Sequence, residues 1–269
     1  MIGAIAGDVI GSAHEFARNK SKRFELFTKL NNFTDDTVLT VAVAEWLMTG
    51  ADLVDVLHEY HARFPRAGYG NRFKHWAMNT KRQPYNSFGN GSAMRVSPVA
   101  WAFDSLDDVL DGAKRSAEVT HNHPEGIRGA MATAGALFLA RTGASKEDII
   151  SFCMAEPIRY RVDRSVDLIR VGYDFDVTCQ GSVPEAISCV LGASGYEDAV
   201  RNAVSLGGDA DTQGCIAGGI AEGMWGVPRE IRDTAMRYLD GHLLRVVSEF
   251  YRRYITKKPC RCVFEAGKR

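Results

Sequence analysis

The chain has 269 residues, 45% of them hydrophobic, enough for one large core, and a single domain over 1–269 with a C-terminal tail from about 256 is expected. Its 33 Lys and Arg balance 33 Asp and Glu, so a broad nucleic-acid-binding surface has no support. Met1 to Asp8 lacks a basic n-region, and no stretch reaches the roughly 18 uninterrupted apolar residues of a membrane span, so a cytoplasmic monomer without signal peptide or membrane anchor is expected.

From the N-terminus, Gly7 to Phe16 combines glycines with Asp8 and Glu15, and Glu15 is read as a carboxylate on a mobile loop. Thr37 to Met48 is apolar nearly all round and stops at Gly50, the pattern of a buried helix with a glycine terminator. Leu53 to Phe64 starts after a good N-cap, Asp52, and ends at Pro65. Further helices are predicted over Leu106–Val119, Glu125–Arg141, Lys146–Met154 after Ser145, Pro184–Leu191, Glu197–Leu206, Thr212–Trp225 and Pro228–Tyr254. Pro184 and Pro228 are placed in the first turns of their helices. Strand signals are few, the best being Val177–Cys179 and Cys262–Phe264. The fold class is therefore all-α, and the many Ala and Gly residues favour a compact multi-helix bundle in which axes approach closely. Six cysteines without Cys-x-x-Cys spacing read as reduced thiols, and Cys260 and Cys262 stand too close in sequence to bridge.

The chemistry concentrates in two clusters, Thr34-Asp35-Asp36-Thr37 and Asp209-Ala210-Asp211-Thr212, each at the head of a small-residue apolar helix. Helix capping asks for one Asp at each head, which leaves the other carboxylates unexplained. In the second cluster Gly207 and Gly208 precede the acids and let the backbone fold tightly. Oxygen donors from Asp and Thr, without Cys or His, select Mg²⁺, Mn²⁺ or Ca²⁺. If the two heads face one another, they suit a pair of cations about 3.5–4 Å apart with a water of lowered pKa between them, which is a hydrolytic centre.

Three segments suit the completion of such a site. Gly89-Asn90-Gly91-Ser92-Ala93-Met94-Arg95 is a glycine-rich turn whose backbone N–H groups suit an anion. Thr120-His121-Asn122-His123-Pro124 places two imidazoles in one loop ahead of a helix. Glu15 adds a further acid.

Taken in order, Gly7 to Glu15, Phe33 to Thr37, Gly89 to Arg95, Thr120-His121 with Pro124, Gly207 to Thr212, Ala217 to Glu222 and Gly226-Val227-Pro228 resemble the ADP-ribosylglycohydrolase family. The resemblance implies an all-α orthogonal bundle with two Mg²⁺ or Mn²⁺ ions, cleaving the bond between the anomeric carbon of ADP-ribose and an acceptor on a protein or small conjugate. It implies that Thr34, Asp35, Asp36, Asp209, Asp211 and Thr212 are metal ligands, and that Glu15 is a loop acid approaching the metals. The same likeness gives catalytic roles to Glu15, Asp35, Asp36 and Asp211. Gly89, Asn90, Gly91, Ser92 and Met94 would wrap the diphosphate and distal ribose, His121 would contact substrate, and Tyr173, Phe175 or Tyr196 would stack on adenine. Members that act on ADP-ribosylarginine to reactivate nitrogenase carry an Asp where this chain reads Pro65 to Asn71 without a carboxylate, which leaves an O-linked acceptor open. Two other readings stand beside this one: a crystallin-like relative that kept the fold without catalysis, and a different metal hydrolase acting on a nucleotide or phosphosugar.

Overall fold

The computed structural model describes residues 1–80 and 82–256. Along the chain run α1 (Ile2–Ser12), α2 (Asp35–Thr49), α3 (Leu53–Arg63), α4 (Asn71–Met78), α5 (Gly91–Met94), α6 (Ser97–Ala102), α7 (Leu106–Glu118) and α8 (Pro124–Thr142). They continue as α9 (Lys146–Met154), α10 (Val166–Gly172), α11 (Cys179–Leu191), α12 (Tyr196–Val204), α13 (Ala210–Trp225), α14 (Arg229–Ala235) and α15 (Gly241–Phe250). The described residues contain no sheet, and the all-α class is correct. No helix among them is long and apolar enough to cross a membrane.

The architecture turns on one contact. α1 and α13 run antiparallel with glycines facing glycines: a β-carbon on Gly3 would lie 2.4 Å from the Gly218 carbonyl oxygen, one on Gly7 1.9 Å from that of Gly214, and one on Gly11 2.2 Å from that of Ala210. The i, i+4 spacing on both helices makes this a continuous seam in which backbone packs on backbone. Two segments far apart in sequence are thereby laid side by side, and the seam is tied at one end by Glu222 of α13, which accepts from the Gly3 N–H at 2.9 Å. Around the pair, α2, α8, α11 and α12 contribute almost wholly buried apolar faces to one continuous core.

Several expectations are corrected. α1, α4, α5, α6 and α10 were not anticipated. Gly3, Gly7 and Gly11 depress helix propensity, and only the tertiary seam repays that cost. α11 begins at Cys179, capped by the Thr178 hydroxyl accepting from Gly181 N–H at 3.1 Å, so Pro184 stands inside the helix rather than in its first turn. The predicted Pro228–Tyr254 helix is broken: Pro228 caps α14, a 3-10 turn covers Met236–Tyr238, and Asp240 starts α15 by accepting from the His242 and Leu243 amides at 2.9 and 2.8 Å. Val177–Cys179 forms no strand. Its pairing is a single antiparallel bridge between Gly89 and Thr178, with Asn90 N–H donating to Val177 and Cys179 N–H to Phe88 at 2.8 and 2.9 Å. Cys153, Cys179, Cys189 and Cys215 are buried free thiols, while Cys260 and the predicted Cys262–Phe264 strand lie outside the described residues.

Candidate active site

The α1–α13 seam brings the two acid clusters together. Asp8, on the buried face of α1, accepts from Thr34 N–H at 3.0 Å, from the Thr34 hydroxyl at 2.7 Å, from Thr37 N–H at 3.1 Å and from the Thr37 hydroxyl. It thus holds the head of α2 in place. The Thr212 hydroxyl on α13 donates to Asp36 on α2 at 3.3 Å, across 176 residues of sequence. Asp209 accepts from the Asn90 carboxamide at 2.6 Å, and that carboxamide also donates to Ser182 at 3.1 Å, fixing the glycine-rich turn against the second cluster.

Capping does not account for these acids. The cap of α2 is Thr34, which accepts from Asp36 N–H at 3.3 Å, and Asp209 at the head of α13 makes no side-chain cap bond. Carboxylate oxygens instead converge in two groups, Asp8–Asp36–Asp211 and Glu15–Asp209–Asp211, the chosen oxygens of each lying within 4.8 Å of one another and Asp211 belonging to both. Among the described residues none of these five forms an ion pair with Lys or Arg. For Asp8, Glu15, Asp36 and Asp209, burial is the first cause that raises the proton affinity, and the charge of Asp211 the second. Asp8 and Glu15 are both pushed up to about 7, and Asp36 and Asp209 stand well above the usual carboxylate range. Asp36 also keeps a buried Oδ1 without a hydrogen-bond partner among the described residues. An oxygen-only donor set of crowded carboxylates with an orphaned buried oxygen fits hard divalent cations.

A stability consequence follows for these acids when no cation lies among them. A carboxyl whose folded-state pKa is raised stabilises the fold fully below its unfolded value near 4, and that contribution is lost as pH rises toward about 7 for Asp8 and Glu15. With chelator, the melting temperature is therefore expected to drop between about pH 5 and about pH 8 by more than it does with excess Mg²⁺. Scanning calorimetry checks this, and parallel pH dependences in the two conditions contradict it.

The clusters open into a cleft of about 440 Å³. Glu15, Asp35, Asp36, Gly89, Asn90, Gly91, Met94, His121, Asp209, Asp211 and Thr212 all line it. Asp35 faces the cleft, but its carboxylate lies outside both convergent groups. Thr34 stands behind the lining with its hydroxyl 2.7 Å from Asp8 and 3.2 Å from Asp36. Ser92 is not brought into the cleft: its buried hydroxyl donates to the Gly126 carbonyl at 2.7 Å. Of the three aromatics considered for adenine, Tyr196 is in the core with its hydroxyl on the Gly3 carbonyl at 2.7 Å, and Tyr173 packs on Gly208 and donates to Gly181 at 2.7 Å. Phe175 alone of the three lines the cleft. Gly207 is needed for its φ of 72°, and Gly208 because a β-carbon there would meet the Tyr173 ring at 2.4 Å.

Sequence reasoning missed the role of Asp8, and also Arg72, Tyr85, Phe88 and Arg95 on the cleft wall. An acid between Gly7 and Gly11 was the available signal for Asp8, because a charge on a glycine seam must have a buried partner.

Residues 1–259 match the ADP-ribosylglycohydrolase family profile. The chain belongs to this family. Among curated members, ADP-ribosylhydrolase ARH3 of Mus musculus is 28% identical over 311 residues, covering 84% of this chain and 83% of its own. The Homo sapiens ARH3 is 29% identical over 279 residues, covering 79% and 77%. ADP-ribosylarginine hydrolase Tri1 of Pseudomonas putida is 30% identical over 150 residues, 52% of this chain and 39% of its own. A solved structure titled ADP-ribosylglycohydrolase-related protein complex superposes with a TM-score of 0.65 at 24% identity, covering 93% of this chain and 96% of that one, a likeness of fold.

Proposed function

We propose that this family member is a metal-dependent hydrolase that cleaves the bond between the anomeric carbon of ADP-ribose and its acceptor, releasing ADP-ribose. The observation that carries this reading is the meeting of two acid-headed helices in one cleft with a glycine-rich turn and a histidine. Asp36, Asp209, Asp211 and Glu15, with Thr34, Asp35 and Thr212 beside them, would hold two Mg²⁺ or Mn²⁺. Bound there, the cations would supply positive charge for the ribose diol and lower the pKa of the attacking water.

The chain's own groups supply the rest. Asp8 sets the position of Thr34 and Thr37 and so of the α2 acids. The Gly91 amide opens the short α5 without a protein partner among the described residues, and it suits the diphosphate as a donor. Phe88 and Phe175, both partly exposed at the cleft, suit the adenine face. The intact acid clusters set this reading against a catalytically silent, crystallin-like relative, and the family membership sets it against a hydrolase of other nucleotides or phosphosugars.

The acceptor is addressed by the wall formed by Gly68, Gly70, Asn71 and Arg72, which carries no acid. Asp35 stands beside this wall, with Oδ1 3.3 Å from the β-carbon position of Gly68, but with that acid turned to the cations a guanidinium acceptor finds no carboxylate among the four residues, whereas a serine ether or an acetyl ester needs none. Purified protein with Mg²⁺ is therefore expected to release ADP-ribose faster from serine-linked or acetyl-linked substrates than from arginine-linked ones. No release from any of the three contradicts the hydrolase reading, and release from the arginine linkage alone contradicts the acceptor assignment.

A further inference from the structure

Behind the cleft wall lies a buried polar chain with a definite direction. Arg95, fully buried at the end of the glycine-rich turn, forms no ion pair with a carboxylate among the described residues. Its Nη2 donates to the Ser116 carbonyl at 2.6 Å and to the Thr120 hydroxyl at 2.8 Å. The Thr120 oxygen in turn lies 2.7 Å from Nδ1 of His121. Burying an unpaired guanidinium is costly, so its retention asks for a use.

Donor and acceptor inventories fix the protons along this chain. Arginine has no acceptor, so the Thr120 oxygen accepts from Arg95. The Thr120 side chain is fully buried, and among the described residues its hydroxyl proton has no acceptor other than His121 Nδ1. If Nδ1 carried a proton instead, two donors would face one oxygen and the buried threonine proton would be orphaned. Nδ1 is therefore the acceptor, and the imidazole proton resides on Nε2. That nitrogen faces the glycine-rich turn, where a β-carbon on Gly91 would lie 3.2 Å away, and His121 lines the cleft.

We propose that Arg95 and Thr120 are positioning residues that lock His121 in its Nε2–H tautomer, so that a neutral imidazole presents one fixed N–H donor to a phosphate oxygen in the cleft. The use of that donor on ADP-ribose rests on the function proposed above, while the lock is a property of the free protein. Burial, with Arg95 and then Arg72 nearby, holds His121 well below the usual imidazole range, which agrees with a donor that takes up no second proton. The glycine at 91 has a matching role: a methyl group there crowds the imidazole edge that carries the donor.

The test combines a spectroscopic signature with kinetics. Long-range ¹H–¹⁵N correlation of the ligand-free protein at neutral pH is expected to show His121 protonated at Nε2 alone. The same is expected in Thr120→Ser, which keeps the hydroxyl, whereas Thr120→Val is expected to give a mixture of tautomers. On an ADP-ribose substrate, Thr120→Val is expected to raise KM about tenfold with kcat changed less than about twofold, and Thr120→Ser to restore the lower KM. In a His121→Ala background the Thr120→Val change is expected to have no further effect on KM. An Nδ1-protonated, mixed or doubly protonated His121 in the wild-type protein overturns the lock. So does an unchanged KM in Thr120→Val, or an equal KM increase with His121 absent. If the spectrum is as expected but no ADP-ribose linkage is hydrolysed, the lock stands and the hydrolase reading falls.

Discussion

Asp36→Ala is expected to lower kcat/KM by about 10²- to 10³-fold or more, because it removes a carboxylate proposed to hold the cations that stabilise the developing charge. Asp211→Ala is expected to cost at least as much, since Asp211 belongs to both convergent groups. Neither change is expected to unfold the protein. Asp36 is a buried carboxyl crowded first by Asp211 and then by Asp8, and one of its oxygens has no partner, so its removal relieves repulsion in metal-depleted protein. In chelator, Asp36→Ala should therefore melt no lower than wild type even though turnover is lost. Circular dichroism melts beside a turnover assay check the pair of outcomes. Wild-type turnover removes Asp36 from the site, and a collapsed melting temperature in chelator means that the acid is structural.

Gly7→Ala is expected to have the largest effect on stability of any Gly→Ala change among the described residues. The new β-carbon would lie 1.9 Å from the Gly214 carbonyl oxygen and 2.4 Å from its carbon, both backbone atoms that no rotamer change can move. Relief requires α1 and α13 to separate, and a loss of about 3 kcal/mol or more is expected. The same separation draws Asp8 away from Asp211, so turnover should fall even in conditions where the variant folds. Gly172→Ala is the matched control: no atom lies within 4 Å of its β-carbon position, and a change within about 0.5 kcal/mol is expected. Urea unfolding of the two variants compares them directly. Equal stability of Gly7→Ala and Gly172→Ala contradicts the seam as the organiser of the fold.

The seam also explains what could and could not be read from the amino-acid sequence. α2, α3, α7, α8, α9, α12 and α13 carry apolar patterns bounded by Thr34, Asp52, Ser105, Ser145 or a terminal glycine, local signals that survive without knowledge of neighbours. α1 carries the opposite local signal. Its three glycines weaken an isolated helix and make sense only against Gly214 and Gly218, which lie some two hundred residues away. The start of α11 was hidden by the habit of placing proline in a first turn, and the break before α15 by reading through Asp240.

In the site, residue chemistry pointed to the acids with their threonines, the glycine-rich turn and His121, and of the residues assigned to the site all line one cleft except Ser92 and Thr34. Thr34 nevertheless hydrogen-bonds to the acids from behind. Asp8 was noticed only as an acid among glycines, and its role was hidden because its partners, Thr34 and Thr37, belong to the head of another helix. Arg95 was visible only as the last residue of the glycine-rich segment, and its hydrogen bonds run to residues 21 and 25 positions further along the chain.

The central claim is that carboxylates gathered by the α1–α13 seam make a cation-dependent hydrolytic centre for ADP-ribose bonds. The most direct measurement is release of ADP-ribose from a defined serine-linked substrate by protein first stripped with chelator and then given excess Mg²⁺ or Mn²⁺. The account predicts no release after stripping and recovery on adding either cation. Undiminished release from the stripped protein, or none after metal is restored, would contradict it.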